Sequence, residues 1–170
     1  MKIIRIRLIL LALAVLPGTC LGLSDDSNQA MLIEADSAEL DDKAGISIYK
    51  GNVKVTQGTL VLTGGIITVH TKDDAISKVV VEGSPATYKQ RPDGKQQDIN
   101  AKALLMVYHK SPEKVILTGE AVVEQSGDIL HSDRIVYDIG KDQVAAGGGD
   151  PDKRVRITLQ PKNKSKSKTK

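Results

Sequence analysis

The segment Ile48-Tyr49-Lys50-Gly51-Asn52-Val53-Lys54-Val55-Thr56-Gln57 returns downstream as Leu117-Thr118-Gly119-Glu120-Ala121-Val122-Val123-Glu124-Gln125. Upstream of each copy, Ile33-Glu34-Ala35-Asp36 returns as Ile99-Asn100-Ala101-Lys102, and a half-unit, Val81-Glu82-Gly83-Ser84-Pro85-Ala86-Thr87-Tyr88, stands between them. The glycines at 51, 83 and 119 mark equivalent corners about 30 to 36 residues apart, a spacing typical of stacked repeats. A body built from one short unit is confined to architectures in which each unit packs on its neighbours.

The unit is made of strands. Between Met31 and Leu159, runs rich in Val, Ile and Thr alternate with turn clusters, and no convincing amphipathic helix interrupts them. Candidate strands are 31–35, 46–49, 52–57, 59–63, 66–71, 76–82, 86–90 and 98–102, then 104–108, 114–118, 121–125, 128–131, 134–137, 143–146 and 155–159. The breaks between them carry turn chemistry at residues 41–45, Gly64-Gly65, Asp73-Asp74, Pro92-Asp93-Gly94, residues 111–114 and residues 147–151. Each strand-turn-Gly-strand unit reads as a hairpin whose glycine permits a sharp bend or bulge. Faces alternate, with Val53 and Val55 on one side against Asn52, Lys54 and Thr56 on the other. Aliphatic residues and alanine must supply the core, because there is no Phe, no Trp and only four Tyr. Such a lining suits an interior that accepts flexible chains, and equally a narrow solenoid filled by its own side chains.

The ends differ from the body. Lys2, Arg5 and Arg7 precede an apolar run over 8–16 and then Pro17-Gly18-Thr19-Cys20-Leu21-Gly22, the pattern of a secretory signal peptide spanning 1–22. The run is too short for a membrane anchor, which needs about 20 apolar residues. Cleavage after Gly22 leaves a mature chain without cysteine; the other reading makes Cys20 the lipid-modified first residue of a lipoprotein, which Thr19 before it disfavours. Three of the 24 basic residues lie in the leader and five in the lysine-rich tail over 162–170. The body at 23–161 thus holds sixteen cations against 21 acidic residues, and the basic pI belongs to the ends. The tail has nothing to bury and is expected to be disordered, either as a solubilising end or as a loose contact for anionic membrane.

Catalytic signatures are missing. His70, His109 and His131 lie far apart without ligand spacing, so no metal or other cofactor is expected. The aspartates at 41/42, 73/74 and 150/152 read as turn residues. No nucleophile elbow, phosphate loop or dinucleotide fingerprint occurs, and an acidic, aromatic-poor body suits nucleic acid poorly. The sequence describes a protein that binds rather than one that catalyses.

In their order and spacing, Ile33-Glu34-Ala35-Asp36, residues 49–58, Pro85-Ala86-Thr87-Tyr88 and Leu117-Thr118-Gly119-Glu120-Ala121 resemble the OstA family of periplasmic lipopolysaccharide-transport proteins. The resemblance runs from about Met31 to Pro161. It implies an all-β fold, a twisted, open antiparallel β-jellyroll folded like a taco, with an apolar interior for the acyl chains of lipid A. It also implies a bridge in outer-membrane assembly that forms head-to-tail homo-oligomers through its edge strands and joins LptC at the inner membrane to LptD at the outer membrane. The family's lipid-contacting interior carries over to Met31, Ile33, Tyr88 and Tyr108, and strand alternation extends that face to Leu104 and Met106. For each of these residues ordinary core packing is the competing role. The competing account of the whole chain is a structural β-solenoid scaffold without a lipid ligand.

Overall fold

The computed structural model describes residues 25–91, 96–141, 143–148 and 152–161. The leader with its cut site and Cys20, the turn at Pro92-Asp93-Gly94, residues 149–151 and the lysine tail lie outside the described residues.

The described strands form one antiparallel sheet. They are β1 (Met31–Glu34), β2 (Ser37–Asp41), β3 (Ile46–Gln57), β4 (Leu60–Lys72), β5 (Ala75–Gln90), β6 (Ile99–Lys110), β7 (Glu113–Gln125), β8 (Asp128–Asp138), β9 (Gln143–Ala146) and β10 (Arg156–Thr158). From β3 to β8 each strand pairs with the next in sequence, the meander expected of repeated short connections. The sheet is open: β1 and β2 pair with β3 at one end, and β9 and β10 pair with β8 at the other.

The glycine corners are not hairpin turns. Sequence segments 46–49 and 52–57 are halves of the single strand β3, and the same fusion produces β4, β5, β6, β7 and β8. Apart from a second slip between His70 and Thr71 beside the β4–β5 turn, pairing between neighbours slips at one place along each ladder: between Lys50 and Val53, Thr63 and Ile66, Glu82 and Ala86, Lys102 and Leu105, and Thr118 and Ala121. Bulges bend a strand and sharpen its twist. Because these lie side by side, they add up to one crease that divides the sheet into two leaves. Gly64-Gly65, expected as a turn, sits on this crease. The true hairpin turns fall at 42–45, Gly58-Thr59, Asp73-Asp74, Ser111-Pro112 and Ser126-Gly127.

Each edge of the sheet is divided at the crease between two short strands. β1 pairs only with the second half of β3 and β2 only with the first half, while β10 and β9 divide β8 in the same way. At the break, Asp36 N–H donates to the Gly51 carbonyl at 3.0 Å and the Asn52 amide donates to the Asp36 carboxylate at 2.9 Å. Strand β2 escaped the sequence pattern because Ser37-Ala38-Glu39-Leu40-Asp41 has only Ala38 and Leu40 as apolar residues and is exposed throughout. Edge pairing, rather than hydrophobic patterning, makes it a strand.

The core lines the inside of the crease. Val53, Val55, Ile67, Val81, Ala86, Ala103, Met106, Leu117, Ala121 and Ile135 are the buried apolar residues, and all stand beside it. Alanines at 86, 103 and 121 let the two leaves approach where the fold is tightest. Farther along both leaves, Ile33, Tyr49, Leu62, Val69, Val79, Tyr88, Val115, Val123 and Leu130 pack against this core but are only half-buried.

Candidate functional site

Among the described residues, the inner face of the creased sheet is the large apolar surface that the fold leaves incompletely covered. One leaf contributes Tyr49, Val69, Val79, Tyr108, Val115 and Tyr137; the other contributes Ile33, Leu62, Tyr88, Ala101, Val123 and Leu130. Alternation within each leaf sets the direction of these side chains, and its phase changes at the crease on β4, β5, β6 and β8 but not on β3 or β7. On β6 the inward residues are Ala101 and Ala103 before the bulge but Met106 and Tyr108 after it.

All four tyrosines face this trough by register: Tyr49 opposite Ile67, Tyr88 opposite Leu62, and Tyr108 and Tyr137 each opposite Val115. The hydroxyls of Tyr88 and Tyr108 are tied to the rim. The Tyr88 hydroxyl donates to the Gln90 side-chain carbonyl, and the Tyr108 hydroxyl donates to Glu113 at 2.9 Å. Burial, then the charge of Asp26 and the nearby Tyr137, pushes the Tyr88 phenol up to about 12. Burial, reinforced by the hydrogen bond and charge of Glu113, does the same to Tyr108, also to about 12. Both therefore stay neutral, presenting an aromatic body to the trough and a polar tip to its rim.

The rim near Tyr88 is fastened by the N-terminal 3₁₀ turn, Asp25–Asn28. The buried Asp26 accepts hydrogen bonds from Thr59 N at 2.6 Å, the Thr59 hydroxyl at 2.7 Å and the Gln90 amide at 2.9 Å. Burial pushes this carboxyl up, but the hydrogen bonds from Thr59, Gln90 and Leu60 outweigh it and hold the group below the usual carboxylate range. One side chain thus joins the N-terminal segment, the β3–β4 turn and the end of β5.

Of the six residues expected inside, five share this face. Met106 is buried at the crease, Ile33, Tyr88 and Tyr108 are half-buried along the leaves, and Met31 is on the same face at the very edge, 43% exposed. Leu104 departs from the alternation. It is the β6 residue left without a register partner where both ladders slip, 46% exposed, and lies over Gly119 while its neighbour Ala103 is buried. Period-two counting from Met106 breaks down there because the strand changes phase at that residue. Tyr49 and Tyr137 were missed, although Tyr49 shares the step of Val53 and Val55 and could have been found by it. Among the described residues no three His, Cys, Asp or Glu side chains come together as a metal site.

Comparison with known proteins gives a consistent result. Residues 32–143 match the family described as LptA/(LptD N-terminal domain) LPS transport protein. The chain is 37% identical over 152 residues to the lipopolysaccharide export system protein LptH of Pseudomonas aeruginosa, covering 85% of this chain and 87% of that protein. It is 32% identical over 138 residues to the lipopolysaccharide export system protein LptA of Escherichia coli K12, covering 80% and 74%. The crystal structure of P. aeruginosa LptH, described as the LptA-homologous periplasmic component of the lipopolysaccharide transport device, superposes with a TM-score of 0.72 at 36% identity, over 81% of this chain and 99% of that one. With the creased open sheet, the apolar inner face and a match over most of its length, the chain belongs to the LptA/LptD N-terminal-domain family of lipopolysaccharide transport proteins.

Proposed function

We propose that the protein is exported to the periplasm with loss of residues 1–22, and that its inner face holds the acyl chains of lipopolysaccharide as one segment of a bridge between the two membranes. It acts by binding and not by catalysis. A lipid cannot cross water unaided, since exposing acyl chains costs about 0.8 kcal/mol per methylene, and an apolar trough removes most of that barrier.

The observation that carries this reading is that the apolar stripe runs off both ends of the sheet. By register Met31 and Leu40 lie on the inner face at the β1–β2 edge, and Val144 and Ile157 lie on it at the β9–β10 edge. Leu40, Val144 and Ile157 are 65%, 59% and 62% exposed. A closed solenoid would end in polar caps. Here the stripe continues wherever another sheet of the same shape is added, and the unpaired edges supply the backbone groups for adding it. That favours the bridge over a scaffold without a ligand. The added sheets are further copies of this chain, LptC on the inner-membrane side and LptD on the outer-membrane side.

The four tyrosines are the protein's only aromatic residues and all line the trough, so their near-ultraviolet signal reports on it directly. Adding lipopolysaccharide should change that signal saturably, while the same saccharide stripped of its acyl chains should leave it unchanged. No response to the intact lipid, or an equal response to both, would refute acyl binding.

A further inference from the structure

Strands β3, β5 and β7 each end in glutamine, at Gln57, Gln90 and Gln125. Alternation puts all three on the inner face, two residues beyond Val55, Tyr88 and Val123. The register joins them into one row along a lip of the trough: Gln57 faces Leu60, and Gln90 and Gln125 each face Ile99. Gln90 and Gln125 are thus two strands apart, about 10 Å. The opposite lip has other chemistry. There the inner-face ends of β6 and β7 are Lys110 and Glu113, which pair with each other at 3.5 Å.

Two of the three glutamines are held in place by the N-terminal segment. The Gln57 amide donates to the Gln29 carbonyl at 3.1 Å; the Gln90 amide donates to Asp26 at 2.9 Å while its carbonyl accepts from the Tyr88 hydroxyl. Gln125 is exposed. A strand end in water needs only some polar group, so solubility does not call for one side chain at one register three times, nor for fixing two of them. A neutral amide both donates and accepts, as a sugar hydroxyl does, whereas a phosphate only accepts and calls for cations. Lys89 and Arg91, which flank Gln90, are both tied to Asp98, at 3.0 and 2.8 Å. The lip therefore suits hydroxyls.

Resting on the reading that acyl chains lie in the trough, we propose that this lip is a saccharide subsite: Gln57, Gln90 and Gln125 exchange hydrogen bonds with the hydroxyls of sugars joined to those chains. An apolar trough alone accepts any lipid with suitable chains. A row of amides along one lip makes the protein select a glycolipid, and it fixes which side of the trough the sugars face. Exposed hydrogen bonds are individually weak, so the row acts on sugars that their chains already hold there, and a saccharide without chains does not stay.

The experiment is titration calorimetry of the mature protein with lipopolysaccharide and, separately, with a free fatty acid. Gln125→Ala should weaken lipopolysaccharide binding about fivefold and Gln57→Ala/Gln125→Ala about twentyfold, with fatty-acid binding within about twofold of wild type. Gln125→Asn, which keeps the amide at shorter reach, should recover part of the loss. A melting temperature close to wild type for Gln125→Ala shows that the loss is not unfolding. Lipopolysaccharide binding unchanged in both alanine variants, or weakened equally for both ligands, would overturn the saccharide subsite and leave the trough reading intact. Wild-type protein that binds neither ligand would overturn the trough reading and the subsite with it.

Discussion

Gly119 and Gly51 have φ of +78° and +79°, and the residues after them, Glu120 and Asn52, are also left-handed at +50° and +45°. The sequence repeat is thus a repeat of backbone conformation, and glycine occupies the position where a Cβ would be strained. A Cβ on Gly119 would come to 3.0 Å from the Leu104 side chain, whereas one on Gly51 would collide with Asp36. Gly119→Ala should therefore cost about 1–2 kcal/mol in urea unfolding and Gly51→Ala more. Asp26 makes a second residue-scale test. Its carboxyl is held below its ordinary value, so its stabilisation is complete above the unfolded-chain pKa and disappears as pH falls through the lower folded value. Asp26→Asn should cost about 1–3 kcal/mol at neutral pH, and the gap from wild type should close as acid unfolding is followed below the ordinary aspartate value of 3.8. A gap that is constant with pH would mean that the charge does not matter. Asp26 was invisible in the sequence, where Asp25-Asp26-Ser27-Asn28 reads as a polar end; its partners Thr59 and Gln90 are brought to it only by the fold.

At the scale of elements, alternation and turn chemistry disclosed the all-β class, the direction of most apolar side chains and the turns at 41–45, Asp73-Asp74 and Ser111-Pro112. They could not disclose that a glycine between two short apolar runs joins them into one bent strand instead of reversing the chain. Both cases put a positive-φ glycine between runs with period-two patterning, and only pairing with the neighbouring strand distinguishes them. Leu104 shows the consequence, because Ala103 and Leu104 give no local sign of a bulge and the phase change stays hidden. Leu104→Asp should cost less than about 1 kcal/mol, while Met106→Asp, which puts an unpaired charge at a site 4% exposed, should remove several kcal/mol and leave little folded protein. Circular dichroism with thermal melts separates the two outcomes. Equal, severe loss at both positions would return Leu104 to the interior. Because Met106 belongs to the crease core, its loss would unfold a lipid carrier and a bare scaffold alike, so function must be tested nearer the rim.

Over the whole molecule, one sheet folded along one crease yields both a trough and two unpaired ends. The crease gathers a core just large enough to hold the leaves together, leaving the outer parts of both inner faces half-covered. The ends, blunted in most β proteins, keep their apolar residues exposed here. The most direct test of a lipid-holding trough is a photo-crosslinking scan along β6 with lipopolysaccharide. Capture is predicted at Ala101 and Tyr108 and not at Lys102 or Val107, so that the reactive positions change from odd to even numbers across Leu104. Capture at Lys102 and Val107, or equal capture at all four positions, would contradict the account.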